Sequence, residues 1–310
     1  VSLLGNTGGV FPSKIYGRGI YREKEVYEFQ SAHVTEETEH IADAVRAFCR
    51  QLREKETEPF ARPIAVMPKT VSPEYFSTDK ICFQNVPIGV REKDIENVSI
   101  NMEKGNVMHV LAMDRQDTVP FAGALCELLQ KCIDCEIYVM DPGNQLHAEK
   151  MDSDHYIVDK LEKSIIKLFG MTVERHNEYK RTNGNPVNID MHPVIVLVMG
   201  LNQVKKAVSE DAVDKLKLIL EKTSGKYQQF YWIMDDYSSA NEYCTEEWCK
   251  GEGLWIGSGI ADQIRLKVTM RGRDLVRPLD FTRGYLVKKG KAEGVKLLTI
   301  IEEEEEAEDE

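Results

Sequence analysis

Long apolar runs and an excess of basic residues are what this 310-residue sequence most clearly lacks. Its longest apolar run, residues 194–201, is far shorter than the roughly 20 residues that a membrane-spanning helix needs. No basic segment precedes an apolar core at the amino terminus, so no signal peptide is predicted. We therefore expect these residues to make no direct contact with a membrane.

The charge balance is acidic, with a formal net charge of −12. Eight of the negative charges lie within residues 302–310, predicted to be a disordered tail, so the remaining residues carry only −4. Sequence-independent binding of nucleic acid depends on phosphate neutralisation by lysine and arginine. A mildly acidic body offers no such surface, and nucleic acid is not a predicted partner.

Cysteine is sparse and odd in number, at seven residues, which favours a reducing compartment over a disulfide framework. The pairs Cys132 with Cys135 and Cys244 with Cys249 have spacings that a four-thiolate zinc site could use. However, Cys132 ends a predicted helix, Cys135 begins a predicted strand, and cysteine is common in buried cores. We predict core packing for them and for His109, which lies inside an apolar strand pattern, and no metal site.

The chain divides into four parts by composition. Residues 1–34 alternate polar and apolar positions between glycines, which predicts short strands and tight turns. Residues 35–80 combine one helical pattern with four closely spaced prolines, as in a semi-rigid linker. Residues 81–301 are the predicted main domain, and residues 302–310 are the acidic tail.

Two glycine-containing segments far apart in the chain resemble each other. Residues 16–24 read YGRGIYREK, and residues 281–289 read FTRGYLVKK. Two similar endings in one chain suggest tandem domains. On this interpretation, residues 1–34 are the tail strands of a preceding domain.

Strand and helix patterns alternate within the main domain. Strands are predicted at residues 107–113, 136–140, 194–199 and 230–234, with a final strand group from Trp255 onward. Helices are predicted at residues 120–132, 156–170 and 210–222. A fully apolar strand such as residues 194–199 is typical of a parallel sheet covered on both faces. The predicted fold class is therefore α/β, with a largely parallel central sheet.

In such a sheet, the turn between the first strand and its helix is where phosphate would bind. The turn here consists of Asp114, Arg115, Gln116, Asp117, Thr118, Val119, Pro120 and Phe121. Its length equals that of the G-x-x-x-x-G-K-S/T phosphate loop, yet the four diagnostic residues are all absent. Pro120 stands in place of the lysine, and Phe121 stands in place of the hydroxyl that holds magnesium.

A second position of the expected nucleotide site also lacks its characteristic residues. The apolar strand at residues 194–199 should be followed by acids that hold magnesium and orient the attacking water. Met199 and Gly200 stand there instead. Because two independent parts of an NTPase site are absent together, we predict that the domain has no catalytic residue and lacks ATPase activity.

The order and spacing of several motifs resemble the motor core of the FtsK/SpoIIIE ATPases. The motifs are PIG at residues 87–89, the strand at 107–113, IYVMD at 137–141 with Leu146, His155 and Tyr156, Glu174-Arg175, the strand at 193–201, and GIADQ at 259–263. The two echoing segments resemble those that close successive ATPase modules of type VII secretion motors. The resemblance implies a P-loop NTPase fold of the RecA/FtsK type, in three layers, and best matches the last of the tandem modules.

The same resemblance implies the surroundings of the module. The parent protein would be anchored in the bacterial cell membrane with its modules on the cytoplasmic side, and ATP and Mg²⁺ would be the family ligands. Its partners would be WXG100-type and other type VII secreted proteins, the adjacent ATPase modules, and further copies of the parent in a hexamer. Because its nucleotide positions are degenerate, we expect this module to hold no cofactor and to dock substrates, with a helix bound in a groove.

Two other interpretations remain open. In the first, ATP still binds in the altered loop and is hydrolysed in an oligomer, with an arginine supplied by a neighbouring copy. In the second, the chain is a DNA-translocase module, as the wider family implies, although its charge opposes duplex binding.

Trp248 is the candidate partner contact. It lies in a polar, helix-like stretch at residues 242–250, where a core role is less natural than for the strand aromatics nearby. Large aromatic side chains are common anchors at protein interfaces. The sequence therefore leaves two roles for Trp248, core packing and partner binding.

Overall fold

The computed structural model describes residues 18–22, 25–31, 40–55, 66–147, 156–182, 191–242, 253–260 and 276–300. The chain forms two compact units, Val1–Ile64 and Ala65–Glu310. Part of the predicted linker therefore packs with the main domain: Val71 and Phe76 are buried in its core. Among the described helices, none is long and apolar enough to cross a membrane.

The first unit contains a hairpin and a helix. Strands β1 (Arg18–Arg22) and β2 (Val26–Gln30) pair antiparallel. The predicted helix of this region is present as α1 (Ile41–Lys55). The hairpin is antiparallel, as is the pair that residues 283–288 form with residues 291–297 in the second unit.

The second unit is built on one large sheet. Its strands are β3 (Val86–Arg91), β4 (Asn97–Ile100), β5 (Val107–Ala112), β6 (Glu136–Met140), β7 (Tyr156–Ile157), β8 (Val194–Met199), β9 (Gln229–Asp236), β10 (Gly253–Ile256), β11 (Arg283–Lys288) and β12 (Lys291–Leu297). The ten strands lie in the order β4-β3-β12-β11-β10-β5-β9-β8-β6-β7. The run from β10 to β7 is parallel, and the run from β4 to β10 is antiparallel. The predicted α/β class with a largely parallel sheet is confirmed.

The helices of the second unit follow the parallel strands. They are α2 (Val119–Cys132), α3 (Leu161–Arg181), α4 (Leu201–Lys206), α5 (Glu210–Lys222) and α6 (Tyr237–Ala240). The bounds predicted for α5 are matched because the Ser209 hydroxyl caps the Ala212 amide and the apolar period is strong. The predicted helix at residues 156–170 is wrong at both ends.

The error at that helix has a tertiary cause. Tyr156 and Ile157 form a short strand that pairs with Val139 and Met140, so the helix starts only at Leu161. It then continues without a break through Gly170 to Arg181. An apolar period alone cannot separate a short buried strand from the first turn of a helix.

Helices cover both faces of the sheet, which gives three layers. Along β9, Phe230, Trp232 and Met234 point into the core beneath α2. Tyr231 and Ile233 point into the opposite core, beneath α3 and α5. This two-residue alternation on a strand buried on both faces explains why its sequence is apolar throughout.

Two edges of the sheet matter for function. The carboxyl edge is the set of segments that follow the parallel strands: residues 113–118, 141–146, 200–202, 235–240 and 257–260. The amino edge is the opposite one, where β5 and β9 begin and β11 ends. Open parallel sheets bind ligands outside the carboxyl ends of their strands, so the predicted nucleotide positions lie on the expected edge.

Candidate functional site

The turn after β5 is closed on itself. Residues Arg115–Thr118 form a 3₁₀ turn, and the Asp114 carboxylate accepts the Gln116 amide at 2.9 Å. The Asp117 amide donates to the Asp114 carbonyl at 3.1 Å, and the Val119 amide donates to the Gln116 carbonyl. The backbone donors that a phosphate loop would direct at its ligand are thus used inside the turn.

The next two residues, Pro120 and Phe121, are also held by contacts within the fold. Pro120 has no amide hydrogen, and its carbonyl accepts the Ile300 amide at 3.4 Å. Phe121 is fully buried, with its ring centroid 6.1 Å from that of Trp232. The position of a magnesium-holding hydroxyl is therefore a core aromatic residue.

Arg115 joins the turn to the end of β8. Gly200 has a φ of +80°, and a Cβ atom placed on it would lie 2.3 Å from Arg115 Nη1. The Arg115 Nε atom is buried without a hydrogen-bond partner. Met199 is fully buried in the core, so the position of a magnesium-binding acid faces away from solvent. The structure thus brings the two predicted nucleotide positions together, with the arginine between them.

Two acids at the end of β9 belong to the same edge, and sequence reasoning missed them. Asp235 is fully buried, and its Oδ2 accepts the Leu201 amide at 3.1 Å. Asp236 caps α6 by accepting the Ser239 amide and hydroxyl, each at 2.8 Å. The available signal was the pair of acids directly after the predicted strand at residues 230–234. Both carboxylates hold local structure together.

Asp141, the acid of the IYVMD motif, is likewise an internal anchor. It is fully buried, and its Oδ2 accepts the Leu146 amide at 3.0 Å and the Tyr156 hydroxyl at 2.7 Å. Burial, followed by this bond to a carboxylate, raises the pKa of Tyr156. The contact fixes the segment after β6 against β7, which accounts for the motif in structural terms.

The electrostatics of the turn oppose an anionic ligand. Partial burial, and then the nearby Asp114 carboxylate, raise the pKa of Asp117. The raised pKa means that the negative charge on Asp117 is unfavourable in the folded state. A polyphosphate placed here would add further charge of the same sign, with Arg115 as the one cation of the turn.

The raised pKa of Asp117 leads to a prediction. Asp117→Asn is expected to stabilise the fold by about 0.3 kcal/mol at pH 7.5, a small value because the site is partly exposed. The gain should fade as the pH falls through the folded-state pKa, because the aspartate becomes protonated and loses its charge. Urea unfolding at pH 7.5 and pH 4.5 measures it. Asp114→Asn, which keeps a capping side chain, should give a smaller gain, and a loss of stability in Asp117→Asn would contradict the account.

Gly200 gives a second prediction. Gly200→Ala is expected to lower the free energy of unfolding by about 1 kcal/mol, because alanine is strained at positive φ and its Cβ displaces Arg115. Gly170→Ala is the matched control. It lies in α3 with no atom within 4 Å of the added Cβ, and should stabilise by about 0.5–1 kcal/mol. Equal effects of the two substitutions in urea unfolding would rule out the Gly200 strain.

The remaining sequence candidates do not form a second site among the described residues. Trp248, Cys244, Cys249 and His155 lie outside them. Cys132 and Cys135 are free and half-buried, and burial, followed by the Asp134 charge, raises the pKa of Cys135 to about 12. Within the described ranges, no three potential metal-ligating side chains lie together.

Comparison with known proteins rests on structure alone. No family model matches the sequence, and no curated protein matches it. EssC (ATPases 2 and 3) from Geobacillus thermodenitrificans superimposes with a TM-score of 0.69 and 14% identity, over 94% of this chain and 57% of that one. Thermomonospora curvata EccC (ATPases 2 and 3), solved in complex with a signal sequence peptide, gives 0.60 and 15% identity, over 95% and 55%.

A conjugation protein is similar over most of its own chain. The coupling protein TcpA of pCW3, solved with ATPγS, gives a TM-score of 0.52 and 13% identity, over 83% of this chain and 82% of that one. Among the EssC and EccC structures, this chain spans between 35% and 62% of their length. The chain therefore has the P-loop ATPase fold of the cytoplasmic domains of the type VII secretion proteins EssC and EccC.

Proposed function

We propose that the chain is a module of a type VII secretion motor that does not hydrolyse ATP and instead serves as a docking or regulatory platform for secreted proteins. One observation carries the proposal: an intact ATPase fold whose phosphate turn is closed by its own hydrogen bonds. The fold supports the motor, and the closed turn supports the loss of hydrolysis.

The energetics favour the closed turn. Opening it would break the bonds from the amides of Gln116, Asp117 and Val119, each worth about 0.5–1.5 kcal/mol. Reaching a family-like geometry would also require Phe121 to leave the core, which would cost about 3 kcal/mol. A nucleotide would have to offset these terms and the repulsion by Asp114 and Asp117. We therefore propose that the module holds no ATP or Mg²⁺.

The docking role is supported by the EccC structure, in which the corresponding protein carries a signal sequence peptide. By extension, the partners proposed here are WXG100-type and other type VII secreted proteins. A bound substrate would bias an adjacent, active module of the same chain through contacts. The parent would sit on the cytoplasmic side of the bacterial cell membrane and assemble as a hexamer.

Fluorescence anisotropy with a labelled signal-sequence peptide of a WXG100-type protein from the same locus tests the docking role. We expect a Kd of about 1–100 µM, as for a short peptide in a groove. Trp248→Ala should weaken binding by about 10-fold or more if Trp248 is an anchor. Tyr75→Ala, which removes an exposed aromatic residue, is the control and should not change the Kd. No binding to any substrate of the locus at millimolar concentration would contradict the proposal.

One observation favours the alternative, an ATP-binding module. Arg115 Nε has no hydrogen-bond partner, and Nη1 of the same guanidinium lies beside Gly200, where a phosphate oxygen could accept from this side chain. In that case the turn would open on binding, and a neighbouring copy would supply a second arginine. Nucleotide titration separates the two proposals.

A further inference from the structure

A cavity opens at the amino edge of the sheet, at the end of the core beneath α2. Its volume is about 500 Å³, within the usual range for ligand sites. Ile100, Met108 and Phe230, which all belong to that core, form its apolar wall. The nucleotide positions lie at the opposite edge, so the cavity is separate from the turn after β5.

The cavity exists because the sheet curls. Ile100 is the last residue of β4 and Met108 lies in β5, and four strands separate β4 from β5 in the sheet. Both residues line one cavity, so the antiparallel strands bend round toward the start of β5. The register of β3 against β4 shifts between Pro87 and Gly89. A bulge of this kind bends a strand, which gives the PIG motif a structural role.

Three hydrogen-bond donors belong to residues in the polar part of the lining. They are the Lys104 ammonium, the Asn101 amide nitrogen Nδ2 and the Ser99 hydroxyl. The Asn101 Oδ1 atom accepts the Lys104 backbone amide at 3.3 Å, so Nδ2 is the atom left for a ligand. Among the residues that the structure describes, none of the three donors has a hydrogen-bond or ion-pair partner. A bound acceptor would therefore meet donors that are not already engaged.

The charge of the lining favours an anion. Lys104 and Lys288 are its charged members, and none of the described residues that line the cavity is acidic. Lys288 has an interaction of its own within the chain, so Lys104 is the cation that we assign to a ligand. One ammonium group and two neutral donors match a single carboxylate better than a phosphate group, which carries about two negative charges. The apolar wall matches a short hydrocarbon body.

We propose that this cavity binds a small amphipathic carboxylate, with its apolar body against Ile100, Met108 and Phe230 and its carboxylate at Lys104. The apolar body gains free energy by leaving water, and the hydrogen bonds to the carboxylate are charge-assisted. The proposal goes beyond the role of the module in secretion, since it requires neither a closed phosphate turn nor a docked substrate.

Octanoate is the probe, and NMR titration of the isotope-labelled full chain measures its binding. We expect a Kd of about 1 mM or lower, with chemical-shift changes centred on residues 99–108. Octanol and octylamine, which have the same apolar body, should bind about 5-fold more weakly or worse. No shift at about 10 mM octanoate, or shifts centred on another part of the chain, would overturn the proposal.

Two lysine variants test the assigned cation. Lys104→Gln should weaken octanoate binding by about 5-fold and leave octanol binding unchanged, because only the carboxylate uses the ammonium group. Lys163→Gln, at an exposed position of α3, is the control and should change neither. If Lys104→Gln bound octanoate as tightly as the wild type, the assignment would be wrong.

Filling the cavity tests the site without altering its charge. Ser99→Trp should weaken both octanoate and octanol by about 10-fold or more, because the indole occupies the cavity and a strand position accepts tryptophan. Asn97→Trp, at the exposed start of the same strand and outside the lining, is the control and should keep the Kd. Urea unfolding checks that both variants are folded. Unchanged octanoate binding in folded Ser99→Trp would refute the site.

Discussion

Phe121→Thr is expected to lower the free energy of unfolding by about 3 kcal/mol. The substitution restores the hydroxyl that a phosphate loop has at this position, but the side chain is fully buried against Trp232 in the core under α2. Three costs add up in this loss. The apolar benzyl group no longer contributes its burial free energy, a cavity remains in the core, and the new hydroxyl is buried. Urea unfolding followed by tryptophan fluorescence measures the change.

Phe121→Leu is the control for packing without the hydroxyl, and it should cost about 1.5 kcal/mol or less. The account would be contradicted if Phe121→Thr were as stable as the wild type and acquired Mg²⁺-dependent nucleotide binding. That result would mean that residue 121 still has the geometry of the magnesium-holding residue of a phosphate loop. We expect neither result. A single substitution toward the family motif should damage the core without rebuilding the site.

His109→Leu is expected to make the fold less sensitive to acid. Complete burial lowers the pKa of His109 to about 4, from its ordinary value of 6.5. The stability that neutral His109 contributes is present above pH 6.5 and is lost as the pH falls toward 4, because the unfolded chain binds the proton more readily. At pH 5 the wild type should have lost about 2 kcal/mol through this group alone.

The measurement is urea unfolding of both proteins at pH 7.5 and pH 5.0. The difference between variant and wild type should shift by about 2 kcal/mol in favour of the variant at the lower pH. His40→Leu, at an exposed position of the first unit, is the control and should shift by far less. A difference that did not change with pH would mean that His109 has the same pKa in the folded and unfolded states, as it would if water reached its ring.

Much of the fold could be predicted from the sequence, because its periodic signals agree with its tertiary contacts. The strand Val194–Met199 and the helix Glu210–Lys222 are found where the apolar patterns placed them. The strand Tyr156–Ile157 could not be predicted. It exists through pairing with β6 and through the bond from Tyr156 to Asp141, and neither leaves a local signal.

The position of the turn after β5 could be predicted from the sequence, but its hydrogen bonding could not. The turn after β5 was placed correctly by counting residues from an apolar strand. Its closure depends on Asp114 accepting bonds from the next residues, and its Arg115 side chain reaches across to Gly200. The second of these is a contact between residues 85 positions apart. Asp235 was missed because the strand was predicted to end at Met234.

The most direct test of the central claim is a titration of the full chain with ATP, with and without Mg²⁺, by calorimetry and thermal shift. Protein at about 100 µM allows an oligomer to form and supply a neighbouring arginine. A site with a Kd of about 10 µM would add about 2.7 kcal/mol of stability at about 1 mM ATP. We predict no heat of binding and no Mg²⁺-dependent shift. Micromolar binding that requires Mg²⁺ would contradict the account and establish an active nucleotide site.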